Sequence, residues 1–234
     1  MSGASATAVV SGATGGIGAA MVSRLAGEGY GVLALGRDDA ALAEVARSDP
    51  RVTTARVDLT DAGSLDDALP ELDRVDALVH CAGIAEVAPV EGSDVELWRR
   101  TFEVNLVAAA ELTRALLPPL RAAHGHVIFV NAAYGMTGVP RWSAYVGSKV
   151  ATRELAESLR AEEAPHGLRV TSIYPAGVRT PLLRRVRTAF DRGYDPTRGL
   201  SPESLATVML SVLRAPNDAH VTDLAIKPAP DGSG

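Results

Sequence analysis

The sequence is nearly without cysteine: Cys81 is the single one in 234 residues. An intrachain disulfide is excluded, which fits a reducing compartment and a cytoplasmic location. Aromatic side chains are scarce, 4% against 47% hydrophobic residues overall. Ala, Val and Leu must therefore fill the core, as suits a parallel sheet wrapped in helices. No apolar run approaches the roughly 20 residues that a membrane helix needs. The stretch from Met1 to Thr7 lacks the positive start and apolar run of a signal peptide. Basic residues do not dominate: the net charge is −5, which argues against nucleic acid as a partner. The five histidines show no metal-ligand spacing, so no metal is expected. His124 and His126, flanking a glycine before an apolar run, read as loop. There is no internal repeat, low-complexity block or interdomain linker. Residues 1–234 read as one domain, flexible at 1–5 and 229–234. Residues 182–199, rich in Arg and Gly, read as a flexible lid.

What is present is alternation. "TAVVSG", "GVLALG", "RVTTARVD", "VDALVHCAG", "GHVIFVNAA", "GLRVTSIYPAG" and "HVTDLAIKP" read as strands. Between them lie helical patterns: "GIGAAMVSRLAGEG" closed by Gly29, "DDAALAEVARS", "DAGSLDDALPEL", a long one from Ser93, residues 143–164, and "SPESLATVMLSVLRA". The long helix opens with a Ser93-x-x-Glu96 capping box, and the last with Ser201 as cap and Pro202 at its first position. Strands alternating with helices predict an α/β fold with a doubly wound parallel sheet.

The first strand runs into Ser11-Gly12-Ala13-Thr14-Gly15-Gly16-Ile17-Gly18 and then a helix. Glycines at 12, 16 and 18 allow a tight turn and close approach to a pyrophosphate, while the helix N-terminus offers N–H groups and its dipole. The spacing is G-x-x-x-G-x-G, which departs from the G-x-G-x-x-G fingerprint. At the end of the second strand an acidic residue would accept from the ribose 2′-hydroxyl of NAD. Arg37 stands there instead and suits the 2′-phosphate of NADP. The competing reading pairs Arg37 with Asp38 or Asp39 in solvent.

With these motifs the sequence resembles the short-chain dehydrogenase/reductase family from the first strand to about Thr180, and more loosely to the last strand. The glycine motif matches residues 11–18, with Ser11 for Thr. The acidic residue after strand three matches Asp58, followed by Leu59; the N-N-A-G motif survives only as Ala82 and Gly83, after His80 and Cys81. The helix asparagine matches Asn105, and Y-x-x-x-K is Tyr145 to Lys149. The region after strand six resembles Pro175-Ala176-Gly177-Val178-Arg179-Thr180. The resemblance implies a single Rossmann-type sheet of about seven strands in the order 3-2-1-4-5-6-7, with helices on both faces. It implies NADP(H) bound by Gly12, Thr14, Gly15, Gly16, Ile17, Gly18, Arg37, Asp58, Leu59, Ala82, Gly83, Tyr145, Lys149, Pro175, Gly177, Val178 and Thr180. It also implies a homodimer or homotetramer paired through the helices near 95–121 and 143–164.

Tyr145 would serve as general acid/base in interconverting an alcohol and a ketone or aldehyde. Lys149, one turn on, would favour the phenolate and bind the nicotinamide ribose, and Asn105 would anchor a water that resupplies the proton. The family's catalytic serine falls at Ala132 by its spacing to Tyr145 and Gly135. One missing donor of this kind costs roughly a hundredfold to a thousandfold in rate, so activity is expected to be impaired, and Ala132→Ser to raise it. Three explanations stay open: an engineered Ser-to-Ala change, another donor such as Asn131, Tyr134 or Ser143, or a non-catalytic nucleotide sensor on the same fold. The substrate is not readable. Its pocket is expected between Ile84–Val90, Tyr134–Trp142 and 182–199. The arginines at 184, 185, 187 and 192 suit either an acidic substrate or a solvated helix face.

Overall fold

The computed structural model describes residues 6–229 apart from 62 and 64. Of the expected flexible ends, 1–5 and 229–234, residues 1–5 and 230–234 lie outside the described residues, as do 62 and 64 of the third helical pattern. The elements are β1 (Thr7–Ser11), α1 (Gly16–Gly27), β2 (Gly31–Gly36), α2 (Asp39–Arg47), β3 (Val52–Arg56), α3 (Leu65–Ala68) and β4 (Ala77–His80). A long helical stretch follows, α4 (Val95–Phe102), a π-helical turn (Glu103–Val107) and α5 (Ala108–Ala123), then β5 (His126–Val130) and α6 (Ser143–Glu163). The chain closes with β6 (Arg169–Pro175), α7 (Pro181–Ala189), α8 (Pro202–Leu213) and β7 (Asp223–Ile226).

The seven strands form one parallel sheet in the order β3-β2-β1-β4-β5-β6-β7. Side chains alternate faces along each strand. Ala8, Val10, Ile128 and Ile173 meet Met21 and Leu25 of α1 and Leu205 and Met209 of α8 on one face. Val9, Leu78, Phe129 and Val170 meet Leu112 and Leu116 of α5 and Ala156 of α6 on the other. Both faces are covered, which explains why the strands read as continuous apolar runs. The strand order reverses between β1 and β4, and the crevice beyond their C-terminal ends is where such sheets bind ligands. Among the described residues no helix is long and apolar enough to cross a membrane, and no His, Cys, Asp and Glu cluster could hold a metal.

Several local expectations need correction. The cap of α4 is Asp94, whose carboxylate accepts from Leu97 N at 2.8 Å; Ser93 Oγ instead donates to Pro89 O. The third helix is only Leu65–Ala68, because Pro70 pushes the residue before it away from helical geometry. His126 is not in a loop. It is the buried first residue of β5, its Nε2 at 2.7 Å from Thr171 Oγ1, while His124 takes the left-handed cap (φ 50°) that ends α5. Within 182–199, residues 182–189 belong to α7: Thr180 accepts from Leu183 N and Pro181 fits the first turn.

Candidate active site

The loop after β1 is held by close backbone contacts. Gly12 has φ +65°, and a Cβ there would lie 2.7 Å from the backbone of Ala82. A Cβ on Gly16 would lie 2.5 Å from Thr180 Cγ2. The loop thus rests on the segments after β4 and β6, bringing Gly83, Pro175 and Val178 to the same crevice. No side chain caps α1, and its first turn carries no acidic residue. Its N–H groups and dipole therefore suit an anion, so the residues present fit the diphosphate of a dinucleotide.

At the far end of this crevice Arg37 is exposed. Asp38 is engaged in capping α2 through Ala41 N at 2.9 Å, and Asp39 lies 3.7 Å from Arg56. Among the described residues Arg37 makes no ion pair, so the competing pairing is not formed. The Thr14 methyl lies beside Gly36, where a Cβ would be 3.1 Å away. Asp58 accepts from Thr60 N and Oγ1; these bonds, helped by Arg37 and Arg56, hold its carboxyl below the usual range. Leu59 packs half-buried against the core beside it.

Asn105 sits in the π-helical turn, buried. Its amide oxygen accepts from Ile84 N at 2.8 Å, and its nitrogen donates to Ile84 O and to Ser148 Oγ, both at 2.9 Å. Asn105 thereby ties the segment after β4 to α6, one residue before Lys149. Lys149 Nζ is buried and donates to Val130 O at 2.9 Å. Burial pulls the ammonium down to about 8 and pushes the Tyr145 phenol up to about 12. Burial alone moves the phenol, in the direction opposite to the lowering expected from Lys149. Trp142 stacks on Tyr145, with ring centroids 4.4 Å apart and an interplanar angle of 21°. Nothing in the residue pattern signals that stacking or the π-helical turn.

Tyr145 and Lys149 open on a cavity of about 450 Å³ that also touches Ile17, Gly83, Ala132 and Thr180. Its outer wall is apolar, with Met136, Val139, Trp142, Leu183 and Phe190. All three expected segments contribute, 84–90 only through Ala85. Arg141 Nη2 donates to Ala189 O at 2.7 Å and so fastens the loop after β5 to the end of α7. Of the arginines, Arg184 lies over Tyr194 and Arg192 over Phe190, while Arg187 and Arg192 reach the cavity wall. Of the alternative donors, Tyr134 is 65% exposed and packs on Tyr174, and Ser143 starts α6 outside the cavity lining. Asn131 lines the cavity. Cys81 and His80 replace the family's asparagines; burial, with Lys149, drives His80 down to about 3, and its Nε2 is 2.9 Å from Thr113 Oγ1.

Comparison with known proteins bears on this geometry. A family described as short chain dehydrogenase matches residues 6–190. An uncharacterized oxidoreductase of Staphylococcus saprophyticus is 31% identical over 231 residues, covering 94% of this chain and 96% of that protein. A cyclopentanol dehydrogenase of Comamonas sp. is 36% identical over 154 residues, 64% of this chain and 62% of that protein. Among solved structures, a metagenomic short-chain oxidoreductase in complex with NADP superimposes with a TM-score of 0.78 at 26% identity, covering 96% of this chain and 97% of the other.

Proposed function

Since the chain belongs to the short-chain dehydrogenase family of oxidoreductases, we propose that it interconverts an alcohol and a ketone or aldehyde with NADP(H). The observation that carries this reading is the shared cavity. Tyr145 and Lys149, on one face of α6, meet Ile17 and Thr180 beside the phosphate loop and an apolar chamber beyond. A reduced nicotinamide, when bound, supplies hydride to the carbonyl carbon.

The chain's own residues do the rest. Tyr145 gives its proton to the carbonyl oxygen, and a phenol held at about 12 is in its acid form at neutral pH. Lys149, fixed on Val130 O, holds a positive charge beside the position where the phenolate forms. Asn105 keeps α6 and the segment after β4 in register through Ser148 and Ile84. Gly12, Gly15, Gly16 and Gly18, with the helix dipole, would hold the diphosphate, and Arg37 and Thr14 the 2′-phosphate. Asp58 and Leu59 would hold the adenine end, and Ala82, Pro175, Gly177 and Val178 the nicotinamide end.

NADPH oxidation with cyclopentanone, acetophenone and benzaldehyde tests the reading; cyclopentanone is included because of the Comamonas relative. Tyr145→Phe should remove nearly all turnover, at least about a hundredfold, and leave NADPH binding intact. A protein that binds NADPH but turns over no carbonyl, even with Ala132→Ser, would instead be a nucleotide sensor.

A further inference from the structure

The buried polar groups of the cavity point to its substrate contact. Asn131 follows β5 and is 5% exposed. Its backbone N donates to Ile173 O at 2.7 Å, so β6 fixes its position. Its Oδ1 accepts from Ala132 N at 3.2 Å. That bond needs oxygen on the backbone side and so leaves Nδ2, a pure donor, on the other. Nδ2 has no partner, although it is buried. A buried donor without an acceptor costs roughly 1–3 kcal/mol, and such exceptions call for an explanation. Trp142 Nε1 is a second unpartnered donor lining the same cavity. The cavity that Tyr145 lines thus holds two surplus donors, one of them on the residue next to Ala132, which offers none.

We propose that the Asn131 side-chain amide donates a hydrogen bond to the substrate's carbonyl oxygen, doing the work of the hydroxyl that Ala132 lacks. The amide has the properties this work requires. It is preorganised by its own oxygen, desolvated, and adjacent in sequence to the vacant hydroxyl position. A donor of this kind acts where negative charge develops on oxygen, in the same step in which Tyr145 delivers its proton. Asn131 is then a catalytic residue, and Ala132 a natural partner to it: a small side chain leaves room for the amide to reach the oxygen. The inference rests on the carbonyl chemistry proposed above.

The test uses the full chain with NADPH and the panel carbonyl reduced fastest. Asn131→Ala should lower turnover about a hundredfold, with NADPH affinity by fluorescence titration unchanged. Ala132→Ser should gain less than about tenfold alone yet restore most of the lost rate when added to Asn131→Ala, because one donor then replaces the other. Trp142→Phe, which keeps the stacked ring and loses the N–H, should change turnover by less than about tenfold. Should Asn131→Ala fail to fold, the ¹⁵N-labelled side-chain amide of Asn131 must shift when the corresponding alcohol is added to the NADP⁺ complex. An unshifted amide overturns the inference. So does an Asn131→Ala protein as fast as the parent, or a hundredfold gain from Ala132→Ser alone. If the parent and Ala132→Ser both bind NADPH and reduce nothing, the carbonyl reading itself has failed, and the donor role falls with it.

Discussion

Asp38 holds the first turn of α2, Asp39 approaches Arg56, and Arg37 is exposed one residue after Gly36, against which Thr14 packs. A guanidinium in that setting meets a 2′-phosphate through charge-assisted bonds worth about 1.5–3 kcal/mol. NADPH should therefore bind about tenfold or more tightly than NADH. Arg37→Ala should abolish most of the difference by weakening NADPH alone; fluorescence titration with both nucleotides measures it. Equal affinities in the parent protein would refute the assignment. Tyr145 shows what residue-level reading misses. Its four-residue spacing to Lys149 was plain in the sequence, but the balance between charge and burial depends on Trp142 and on Val130 O, which come from packing.

At the scale of elements, the alternation of strands and helices was legible because every β-α unit carries its own apolar period and the glycine loop marks the first turn, whereas the strand order was legible only through the family resemblance. What was not legible came from short-range competition. Ser93 and Asp94 are both good caps, and only the backbone entering α4 decides between them. Asp94→Ala should lower stability by about 0.5–2 kcal/mol in urea melts, whereas Ser93→Ala should cost less. The reverse order would restore the capping box read from the sequence. The π-helical turn around Asn105 left no trace in the apolar pattern, since one inserted residue hardly disturbs a long amphipathic helix. The helix in 181–189 was hidden by its arginines, although Thr180-Pro181 is a sound start signal.

For the molecule as a whole, two properties follow from what is buried and what is not. His80 and His126 are held neutral down to about pH 3, by burial first, against an ordinary value of 6.5. An unfolded chain takes up these protons below 6.5 and the folded one does not, so their stabilisation is complete above pH 6.5 and is lost as pH falls towards 3. Each histidine should cost about 1.4 kcal/mol per pH unit in that window. Melting temperatures should be level between pH 7 and 8 and drop below 6.5, and His126→Gln should make the drop shallower. An unchanged slope would show that neither histidine governs acid lability. Outside the core, Val95 of α4 is 62% exposed, Val107 of the π-helical turn 42% and Val150 of α6 60%. A second copy covering these helices would bury them, so light scattering at micromolar concentration should give a multiple of 24.3 kDa, and Val150→Glu should shift the mass towards the single chain. A monomer in the parent protein would leave that face to solvent.

The phosphate loop has a history as well as a shape. Gly12 rests on Ala82 and Gly16 on Thr180, so a loop encoded near the start of the chain leans on residues far downstream as well as on Leu35 and Gly36 nearby. β1 itself gains its inner neighbour when Ala8 meets Ala77. During synthesis the first forty residues can emerge with their glycine motif complete and still lack a nucleotide site. On the proposed function, a chain cut before Thr180 should keep the glycine motif yet bind NADPH far more weakly, so that capture of the cofactor would report the arrival of β6 and the residues behind it.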